Sequence, residues 1–454
     1  MHRDLIVIGA GPGGYEVAIK AASKGLKVTL IEKAQIGGTC LNHGCIPTKT
    51  LYKNAEVFYT LKQAEDYGFT NLKYQFDFNI VQKRKTTVLN KLRNNIETML
   101  EKANVEVIKG LASFKDEYTI TVKTNDSSRE LCADYFIIAT GSVEKIIPIE
   151  GCNLENVVTS KEMLDIDAIP KKLVIIGGGV IGVEMATIFN ELGSEVVIYE
   201  YFDRLIPAVD KDITTRLKTY LKKQGITVVT DALVNNIVKT DTGLVVEGQT
   251  KKGKPFSQDT EYVLMATGRK AYHDNLHLDK INVLYDKNGI IINDNLQTSV
   301  EHIYAVGDVT GFNMLAHVAT YQSYKALDHI LNQDNSTNFK VIPGCVFTFP
   351  EIASVGLTEE EAKTKSHEVK TNKYMYRANG KALAMGEEDG FIKVVSANDK
   401  LVGCHIIGVQ ASSLIQEATV LVEKQIPINE AVEIIHAHPT LTEILLEALK
   451  GIID

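Results

Sequence analysis

Cys40 and Cys45 lie five positions apart in the tract GGTCLNHGCIPTK, which covers residues 37–49. Two close cysteines can form a redox-active pair or supply half of a zinc site. A zinc site needs two more ligands at short spacing, and His43 alone does not provide them. The tract opens a helical stretch, so we expect Cys45 near a helix N-terminus, where the helix dipole favours the thiolate. The thiolate is the form that attacks disulfides, so this tract indicates dithiol–disulfide exchange.

A second group suited to thiol chemistry lies near the C-terminus, in the tract HAHPTLTE that ends at Glu443. Two interpretations are open. In the structural one, Thr440 is the N-cap of a helix and Glu443 completes a capping box three residues later. In the functional one, His438 carries a proton, and Glu443 orients it and keeps it basic. A thiol that must become a thiolate needs such a base, which links this tract to the cysteine pair.

An apolar strand followed by a glycine-rich turn opens the chain. Residues 4–14 read DLIVIGAGPGG, an Ala-rich helix follows, and a second strand, KVTLIE, ends at Glu32. In such a turn the first glycine permits the bend, the second lets the backbone approach a pyrophosphate, and the third lets the helix pack on the strand. The helix N-terminus binds phosphate and the acid binds ribose hydroxyls. The three glycines are Gly9, Gly11 and Gly14.

The same plan occurs a second time. Residues 173–184 read LVIIGGGVIGVE, and the next strand, EVVIYE, ends at Glu200. In both units the acid lies 23 positions after the first glycine, and DYFIIATGS at 134–142 matches EYVLMATGR at 261–269. Equal internal spacing argues against an incidental Gly-rich turn. Two dinucleotide sites on one chain in turn suggest one tightly held flavin and one exchangeable nicotinamide. The glycines of the second turn are Gly177, Gly179 and Gly182.

The first unit is longer because it contains an insertion at residues 40–103, which holds the cysteine pair and two helical patterns. The last part of the chain reads differently. Its strand-like runs, which alternate with helical ones, lie at 345–349, 370–376, 391–396 and 401–407. Pro343-Gly344 marks the boundary, and this part is predicted to be an α+β domain without a nucleotide motif.

Composition narrows the class of protein further. The 454 residues carry a net charge of −8 without a basic tail, which argues against nucleic acids or anionic membranes as partners. No stretch reaches the roughly 18 continuous apolar residues of a membrane span. A first strand that begins at Asp4 leaves no room for a signal peptide. We therefore expect a cytoplasmic protein without membrane insertion and without a bound metal.

These motifs occur in the order typical of one family, together with AVGD at 305–308. Along almost its whole length the sequence resembles the pyridine nucleotide-disulfide oxidoreductases, and within them the dihydrolipoyl dehydrogenase branch. The resemblance implies an α/β fold with two Rossmann-like dinucleotide-binding domains, for FAD and NAD, plus a C-terminal α+β dimerisation domain. The implied divisions are 1–148 for the FAD-binding domain with the inserted redox-disulfide helices, 149–270 for the NAD-binding domain, 271–342 for a central segment that completes the FAD site, and 343–454 for the dimerisation domain.

The resemblance also implies a reaction and its partners. Electrons would pass from a protein-bound dihydrolipoamide to the cysteine pair, then to FAD and then to NAD. The implied partners are a second copy of the chain, in a homodimer, and a lipoylated protein such as the acyltransferase of a 2-oxoacid dehydrogenase complex or a component of glycine cleavage. Cys40 would be the interchange thiol and Cys45 the charge-transfer thiol against the flavin. His438 and Glu443 would serve the cysteines of the partner subunit.

The family motifs carry over to individual positions of this sequence. The residues implied in catalysis are Cys40, Cys45, His438, Glu443 and the pair Lys49 and Glu184 near the flavin. Those implied in binding FAD are Gly9, Gly11, Gly14, Glu32, Lys33, Gly38, Thr39, Cys40, Lys49, Ala112, Thr140, Gly141, Ser142, Asp308, Leu315, Ala316 and His317. Those implied in binding NAD are Gly177, Gly179, Ile181, Gly182, Glu184, Glu200, Val234 and Gly268.

Glu200 favours NAD over NADP, because a carboxylate at this strand end accepts from a free ribose 2′-hydroxyl and repels a 2′-phosphate. Arg204 is the only base close to it in the sequence. Two positions depart from the family pattern, since VATYQS follows His317 and Phe349 precedes Pro350 where a histidine is common.

Two alternative functions remain open. One is a reductase of another small disulfide or of a metal ion within the same family. The other is a protein retained mainly as a binding component of a multienzyme complex. Intact Cys40, Cys45, His438 and Glu443 argue against a purely non-catalytic role.

Overall fold

The computed structural model describes residues 2–453, and its N-terminal part forms a mostly parallel sheet around the first glycine-rich turn. The strands are β1 His2–Ile8, β2 Val28–Glu32, β3 Glu106–Lys109, β4 Leu111–Asp116, β5 Thr119–Lys123, β6 Ser128–Ile138 and β7 Ser142–Glu144. The helices are α1 Pro12–Ser23, α2 Gly38–His43, α3 Cys45–Lys62 and α4 Phe78–Lys102. The sheet order is β3-β2-β1-β6-β5-β4, in which β3, β2, β1 and β6 are parallel. The first strand begins at His2 rather than at the predicted Asp4, and α3 begins at Cys45 as the tract indicated.

The second unit repeats this layout around the second glycine-rich turn. Its strands are β8 Val157–Thr159, β9 Lys172–Ile176, β10 Glu195–Tyr199, β11 Thr227–Val229, β12 Ala232–Thr240, β13 Gly243–Thr250, β14 Pro255–Thr260 and β15 Tyr262–Met265. Its helices are α5 Ser160–Met163, α6 Val180–Glu191 and α7 Lys211–Lys223. The parallel sheet runs β11-β10-β9-β15-β8, and β12, β13 and β14 form a separate antiparallel sheet.

From Arg269 onward the chain returns to the first unit. Strand β16, Arg269–Ala271, pairs with β7, and strand β17, Ile303–Ala305, extends the first sheet beside β6. Helix α8, Ala316–Ile330, then packs against α1. This part of the chain therefore adds material to the first sheet although it follows the second in sequence.

The C-terminal part is an antiparallel sheet with helices packed on it. Its strands are β18 Gly344–Val346, β19 Ile352–Gly356, β20 Val369–Met375, β21 Phe391–Ala397 and β22 Lys400–Ile407, in the order β18-β19-β22-β21-β20. Its helices are α9 Glu359–Lys365, α10 Gly380–Met385, α11 Ala411–Lys424, α12 Ile428–Ala431 and α13 Glu443–Ile453. Strand β19 was not predicted, because Pro350 and Gly356 leave only a short apolar run between them.

These parts form the predicted α/β fold with two Rossmann-like units and a C-terminal α+β domain. The divisions at 148, 270 and 342 remain a prediction. Within residues 2–453, no helix is both long enough and apolar enough to cross a membrane.

Phe349, one of the two departures from the family pattern, is a packing residue. Its side chain is buried and stacks on Tyr52 with ring centroids 4.7 Å apart, and on Tyr59 at 5.1 Å. The Tyr52 hydroxyl donates a 3.1 Å hydrogen bond to the Thr348 carbonyl. Both tyrosines belong to α3, so Phe349 joins the helix that begins at Cys45 to the C-terminal domain.

Phe349→Ala should lower the free energy of unfolding by about 3–5 kcal/mol, because it leaves a cavity between α3 and the C-terminal domain. Urea unfolding followed by circular dichroism measures this change. Leu284→Ala is the matched control, since Leu284 is 59% exposed and its truncation should change the free energy by less than about 0.5 kcal/mol. Equal losses in the two variants would contradict the packing role of Phe349.

Candidate active site

A continuous cavity of about 2160 Å³ is lined by both nucleotide-binding units and the C-terminal domain. The predicted site residues that line it are Gly9, Gly11, Glu32, Lys33, Gly38, Thr39, Cys40, Cys45, Lys49, Ala112, Thr140, Gly141, Ser142, Gly177, Gly179, Ile181, Glu184, Glu200, Val234, Gly268, Asp308, Leu315, Ala316 and His317. Four predicted residues do not line it: Gly14, Gly182, His438 and Glu443.

Gly14 and Gly182, the third glycines of the two turns, lie behind the cavity wall. A Cβ atom on Gly14 would come within 1.8 Å of the Gly9 carbonyl oxygen, and one on Gly182 within 2.0 Å of the Gly177 oxygen. Only a residue without a Cβ therefore lets each helix approach its strand this closely. This matches the packing role that the turn motif assigns to its third glycine.

Both glycine-rich turns fit a pyrophosphate. Helix α1 begins at Pro12 and α6 at Val180, and the preceding residues, Gly11 and Gly179, provide no side-chain cap. The N–H groups of the first turn of α6 thus remain available to an anion at the cavity wall. The first turn of α1 offers fewer donors, because Pro12 has no N–H and the N–H of Gly14 donates to the Gly11 carbonyl at 2.9 Å.

Glu32 and Glu200 occupy equivalent positions at the ends of β2 and β10. Glu32 accepts hydrogen bonds of 2.8 Å from the backbone N–H groups of Ala10 and Ala34. Glu200 accepts from the N–H of Gly178 and, at 2.7 Å, from that of Phe202. Each carboxylate therefore holds its own glycine-rich turn in place while it faces the cavity.

The cysteine pair lies at the junction of α2 and α3, with Cys45 exposed toward the cavity and Cys40 half-buried. Both cysteines are free thiols. A hydrogen bond from Cys40 lowers the pKa of Cys45 to about 7, and the nearby Lys49 cation adds to this effect. The same interaction, with burial, raises the pKa of Cys40. One sulfur of the pair is thus prepared to be a thiolate near neutral pH.

The loop that carries the cysteines is held by Asn42. Its amide donates 3.0 Å hydrogen bonds to the carbonyl groups of Ile36 and Gly38, and its oxygen accepts one of 2.8 Å from Arg93. Because Arg93 belongs to α4, this helix helps to hold the loop that carries the cysteines in place.

Lys49 and Glu184 form the ion pair that the resemblance implies. The Lys49 ammonium is 2.9 and 3.0 Å from the two carboxylate oxygens of Glu184, which is 4% exposed. Glu184 also accepts a 3.0 Å hydrogen bond from the backbone N–H of Phe347, and Lys49 lies 4.4 Å from the centre of the Phe347 ring. No sequence pattern indicated the contact with Phe347, because this residue lies 163 positions after Glu184 in the C-terminal domain.

Arg269 is a second residue that the sequence patterns did not select. Its guanidinium donates to the Ser142 hydroxyl at 2.7 Å and to Glu144 at 2.7 Å, while Ser142 donates to Asp308 at 2.5 Å. Arg269 directly follows the second ATG motif. Its position next to a motif that both units share is the one sequence feature that could have identified it as a site residue.

Helix α8 directs its N-terminus toward the cavity, with Leu315 as N-cap. A ring nitrogen of His317 lies 3.0 Å from the Pro343 carbonyl oxygen, and burial lowers the pKa of this histidine. In the divergent run that follows, the buried Gln322 accepts a 2.7 Å hydrogen bond from the N–H of Gly307, the neighbour of Asp308. Gln322, which lies in the run that departs from the family pattern, therefore supports the loop that carries Asp308.

His438 and Glu443 lie on the surface of this chain, away from the cavity. His438 Nδ1 is 2.9 Å from a carboxylate oxygen of Glu443, and the histidine side chain is 79% exposed. The second oxygen of Glu443 accepts a 2.8 Å hydrogen bond from the N–H of Thr440. These two contacts hold the pKa of Glu443 below its usual range.

The capping interpretation of this tract is half right. Glu443 does receive the Thr440 N–H, but α13 begins at Glu443 itself, and the Thr440 hydroxyl donates to the Ala437 carbonyl at 2.7 Å. Glu443 therefore bonds His438 with one oxygen and orders the turn before α13 with the other.

Comparison with known proteins identifies the family. The model of the pyridine nucleotide-disulphide oxidoreductases matches residues 3–323, and the model of their dimerisation domain matches residues 342–449. The chain belongs to the pyridine nucleotide-disulphide oxidoreductases. The dihydrolipoyl dehydrogenase of Zymomonas mobilis is 37% identical to this oxidoreductase over 453 residues, which covers 99% of this chain and 97% of that protein. That of Chlamydia trachomatis is 37% identical over 458 residues, with coverage of 99% and 97%.

Solved structures of related proteins share the fold of this oxidoreductase. LpdA from Mycobacterium tuberculosis has a TM-score of 0.91 at 27% identity, and 99% of each chain is covered. The Cu(II) complex of the HOCl-induced flavoprotein disulfide reductase RclA from Escherichia coli has a TM-score of 0.90 at 27% identity, with both chains fully covered. The protein is thus a flavoprotein disulfide oxidoreductase that uses FAD and NAD, and it carries the dimerisation domain of its family.

Lys49→Met should raise the pKa of the Cys45 thiol above about 7, because it removes the cation that favours the thiolate and leaves the Glu184 charge beside it. The long-wavelength absorbance of the dithiol-reduced holoprotein, which reports a thiolate against the flavin, measures this pKa when it is followed against pH. Lys53→Met is the control, since exposed Lys53 pairs with Glu56 one turn further along α3. An unchanged titration in Lys49→Met, or an equal shift in both variants, would contradict the assignment.

Proposed function

We propose that the protein oxidises protein-bound dihydrolipoamide to lipoamide and passes the electrons through the cysteine pair and FAD to NAD. The observation that carries this proposal is the similarity to dihydrolipoyl dehydrogenases of several bacteria, at 36–38% identity over 98–99% of this chain. The intact Cys40 and Cys45 pair in a cavity with two phosphate-binding turns supports the same reaction.

The thiols perform the disulfide exchange. When Cys40 and Cys45 form a disulfide, a dihydrolipoamide thiolate attacks the Cys40 sulfur, and Cys45 leaves as a thiolate. The lowered pKa of Cys45 favours this step, because a thiol of lower pKa is the better leaving group. The second lipoyl thiolate then attacks the lipoyl sulfur of the mixed disulfide and releases Cys40. Dihydrolipoamide is oxidised by two electrons to lipoamide, and the enzyme disulfide is reduced to the dithiol.

When bound, FAD and NAD would supply the acceptors for the electron pair that the dithiol releases. The predicted FAD-binding residues of the first unit and of the central segment would hold FAD, and the pair of Lys49 and Glu184 would position charge beside its ring. Glu200 would bind the ribose of NAD and disfavour a 2′-phosphate.

His438 acts as the base for the substrate thiol, and we place it in the partner subunit of a homodimer. In its own chain His438 is largely exposed and does not line the cavity that contains Cys40 and Cys45. Glu443 holds one ring nitrogen at 2.9 Å, which leaves Nε2 to accept the proton of a thiol. A second chain that covers the cavity would bring this nitrogen to the substrate.

A second candidate function is the reduction of another small disulfide or of a metal ion. The similarity in fold to the Cu(II) complex of the E. coli flavoprotein disulfide reductase favours this candidate. Within residues 2–453, however, no group of three or more His, Cys, Asp or Glu side chains is arranged to hold a metal ion. We rank this candidate second because the chain is 37% identical to the dihydrolipoyl dehydrogenase of Zymomonas mobilis and 27% identical to that reductase.

With NADH as donor, lipoamide should be reduced with a kcat/KM at least about tenfold above that for glutathione disulfide or Cu(II), a difference of about 1.4 kcal/mol in transition-state binding. Cys40→Ser should abolish the lipoamide activity because it removes the sulfur that is attacked. Cys132→Ser, at a half-buried thiol of β6, should leave it unchanged. A higher kcat/KM for glutathione disulfide or Cu(II) would reject lipoamide as the substrate.

Mixed dimers should reveal whether His438 serves the other chain. Homodimers of Cys45→Ser and of His438→Gln should both be nearly inactive, because each site lacks one essential group. Refolding the two variants together should restore about a quarter of wild-type activity, since half the dimers are mixed and each has one intact site.

A wild-type refolding control establishes that dimers and FAD are regained. If His438 served its own chain, every site would carry one defect, and the mixture would remain inactive. That result would overturn the shared site.

A further inference from the structure

The segment of residues 201–210, here called the coenzyme segment, joins the acid of the second nucleotide site to a buried cluster of charges. It begins after Glu200 and ends at Asp210, the N-cap of α7. Along its length Tyr201, Phe202 and 207–209 line the cavity. Its conformation therefore shapes the place where the coenzyme would bind.

The coenzyme segment and Glu200, the residue before it, are both hydrogen-bonded to Gly178 of the second glycine-rich turn. Glu200 accepts from the N–H of Gly178, and the N–H of Ile206 donates a 2.9 Å hydrogen bond to the Gly178 carbonyl. The buried Leu205 side chain packs against Gly178. A Cβ atom added to Gly178 would come within 2.4 Å of that side chain. A shift of the segment would therefore move the turn as well.

The middle of the segment adopts a strained conformation. Ile206 has a φ of +36°, in a region that β-branched residues avoid. Such a conformation persists only where the surrounding contacts impose it. The segment thus needs fixed points on both sides of Ile206.

The far fixed point is supplied by the C-terminal domain. Lys393 of β21 is 2% exposed and contacts Asp210 at 3.0 Å, Asp212 at 2.6 Å and Glu359 at 2.6 Å. Asp210, itself 1% exposed, also accepts a 3.2 Å hydrogen bond from the N–H of Glu359. We call these four residues the Lys393 cluster. Closer to Glu200 in the chain, the Arg204 guanidinium lies 3.2 Å from a carboxylate oxygen of Glu360 in α9. This ion pair is a second link between the coenzyme segment and the C-terminal domain.

We propose that Lys393 and Asp210 are positioning residues for the coenzyme, which act by fixing the far end of the coenzyme segment. The inference rests on the proposed binding of NAD at Glu200. Neither residue touches the cavity, so both act through Glu200 and Gly178 rather than on the coenzyme itself. A loosened segment would bind the coenzyme more weakly and leave the cysteine pair and the first nucleotide site intact.

Lys393→Met tests this role, because it removes the cation and leaves the buried Asp210 carboxylate with backbone N–H groups but no opposite charge. The KM for NADH should rise about tenfold, within the range usual for coupling between two sites. The kcat, the amount of bound FAD and the rate of reduction by a dithiol should stay at wild-type values. Lys393→Arg keeps the charge and should keep most of the NADH affinity.

Ferricyanide serves as the electron acceptor in this assay, so the result does not depend on which disulfide is the substrate. If lipoamide fails as a substrate but the KM for NADH still rises, only the proposed disulfide substrate is wrong. If the wild-type protein does not oxidise NADH at all, both the proposed binding of NAD at Glu200 and this inference are wrong.

Lys85→Met is the matched control for the loss of a buried lysine. Lys85 is 3% exposed and contacts the Leu164 carbonyl and Asp165, both at 2.5 Å, without touching the coenzyme segment. It should lower the melting temperature and leave the KM for NADH unchanged. An unchanged KM in folded Lys393→Met, or an equal rise in Lys85→Met, would overturn the inference.

Should Lys393→Met fail to fold, Asp212→Asn provides the same test in a milder form. Asp212 belongs to the cluster but is 37% exposed, so its loss leaves less buried charge uncompensated. The KM for NADH should rise by a smaller factor at constant kcat. A KM equal to that of the wild type would overturn the inference.

Discussion

The ion pair between Lys49 and Glu184 is the contact on which the arrangement of the active site depends. Lys49 lies one helical turn after Cys45 in α3, Glu184 lies in α6 of the second unit, and Phe347 of the C-terminal domain donates its N–H to the same carboxylate. Three parts of the chain thus meet at one buried charge. Because a buried carboxylate that loses its partners is costly, these parts cannot separate without penalty. The Lys49 cation of this pair also adds to the lowering of the Cys45 pKa that the hydrogen bond from Cys40 produces, whereas the Glu184 charge opposes it. The residue that joins the three parts therefore also bears on the reactivity of the thiol.

The two nucleotide-binding units use the same local contacts but differ in what surrounds them. Glu32 and Glu200 both receive backbone N–H groups of their own turns, which explains why the spacing between turn and acid is equal in the two units. The first unit gains β17 and α8 from the central segment, whereas the second sheet receives no comparable addition among the described residues. This extra cover is consistent with a cofactor that stays bound in the first unit and one that exchanges in the second.

Much of this arrangement was predictable from sequence, because its signals are local. The glycine spacings located both turns, and the apolar strands before them located the sheets. The cysteine tract located the start of α3. Long-range contacts had no such signal, since nothing near Lys49 or Glu184 points to Phe347, and nothing near Asp210 points to Lys393. Strand β19 was also missed, because its five residues are too few for a periodic pattern to stand out. The sequence could not show that Glu443 bonds both His438 and the Thr440 N–H, because the capping and the functional interpretations of that tract rest on the same residues.

The Lys393 cluster also bears on how this fold can be divided. Sequence motifs suggest that the second nucleotide-binding unit is a self-contained module, because its glycine turn, its acid and its ATG motif all lie within it. The cluster shows that the segment after the acid is completed by β21 and α9, more than a hundred residues later. A chimera that exchanges this unit between two related enzymes would pair Asp210 of one parent with the C-terminal sheet of the other. The natural unit of exchange therefore includes both partners of that charge cluster, and its boundary is not contiguous in sequence.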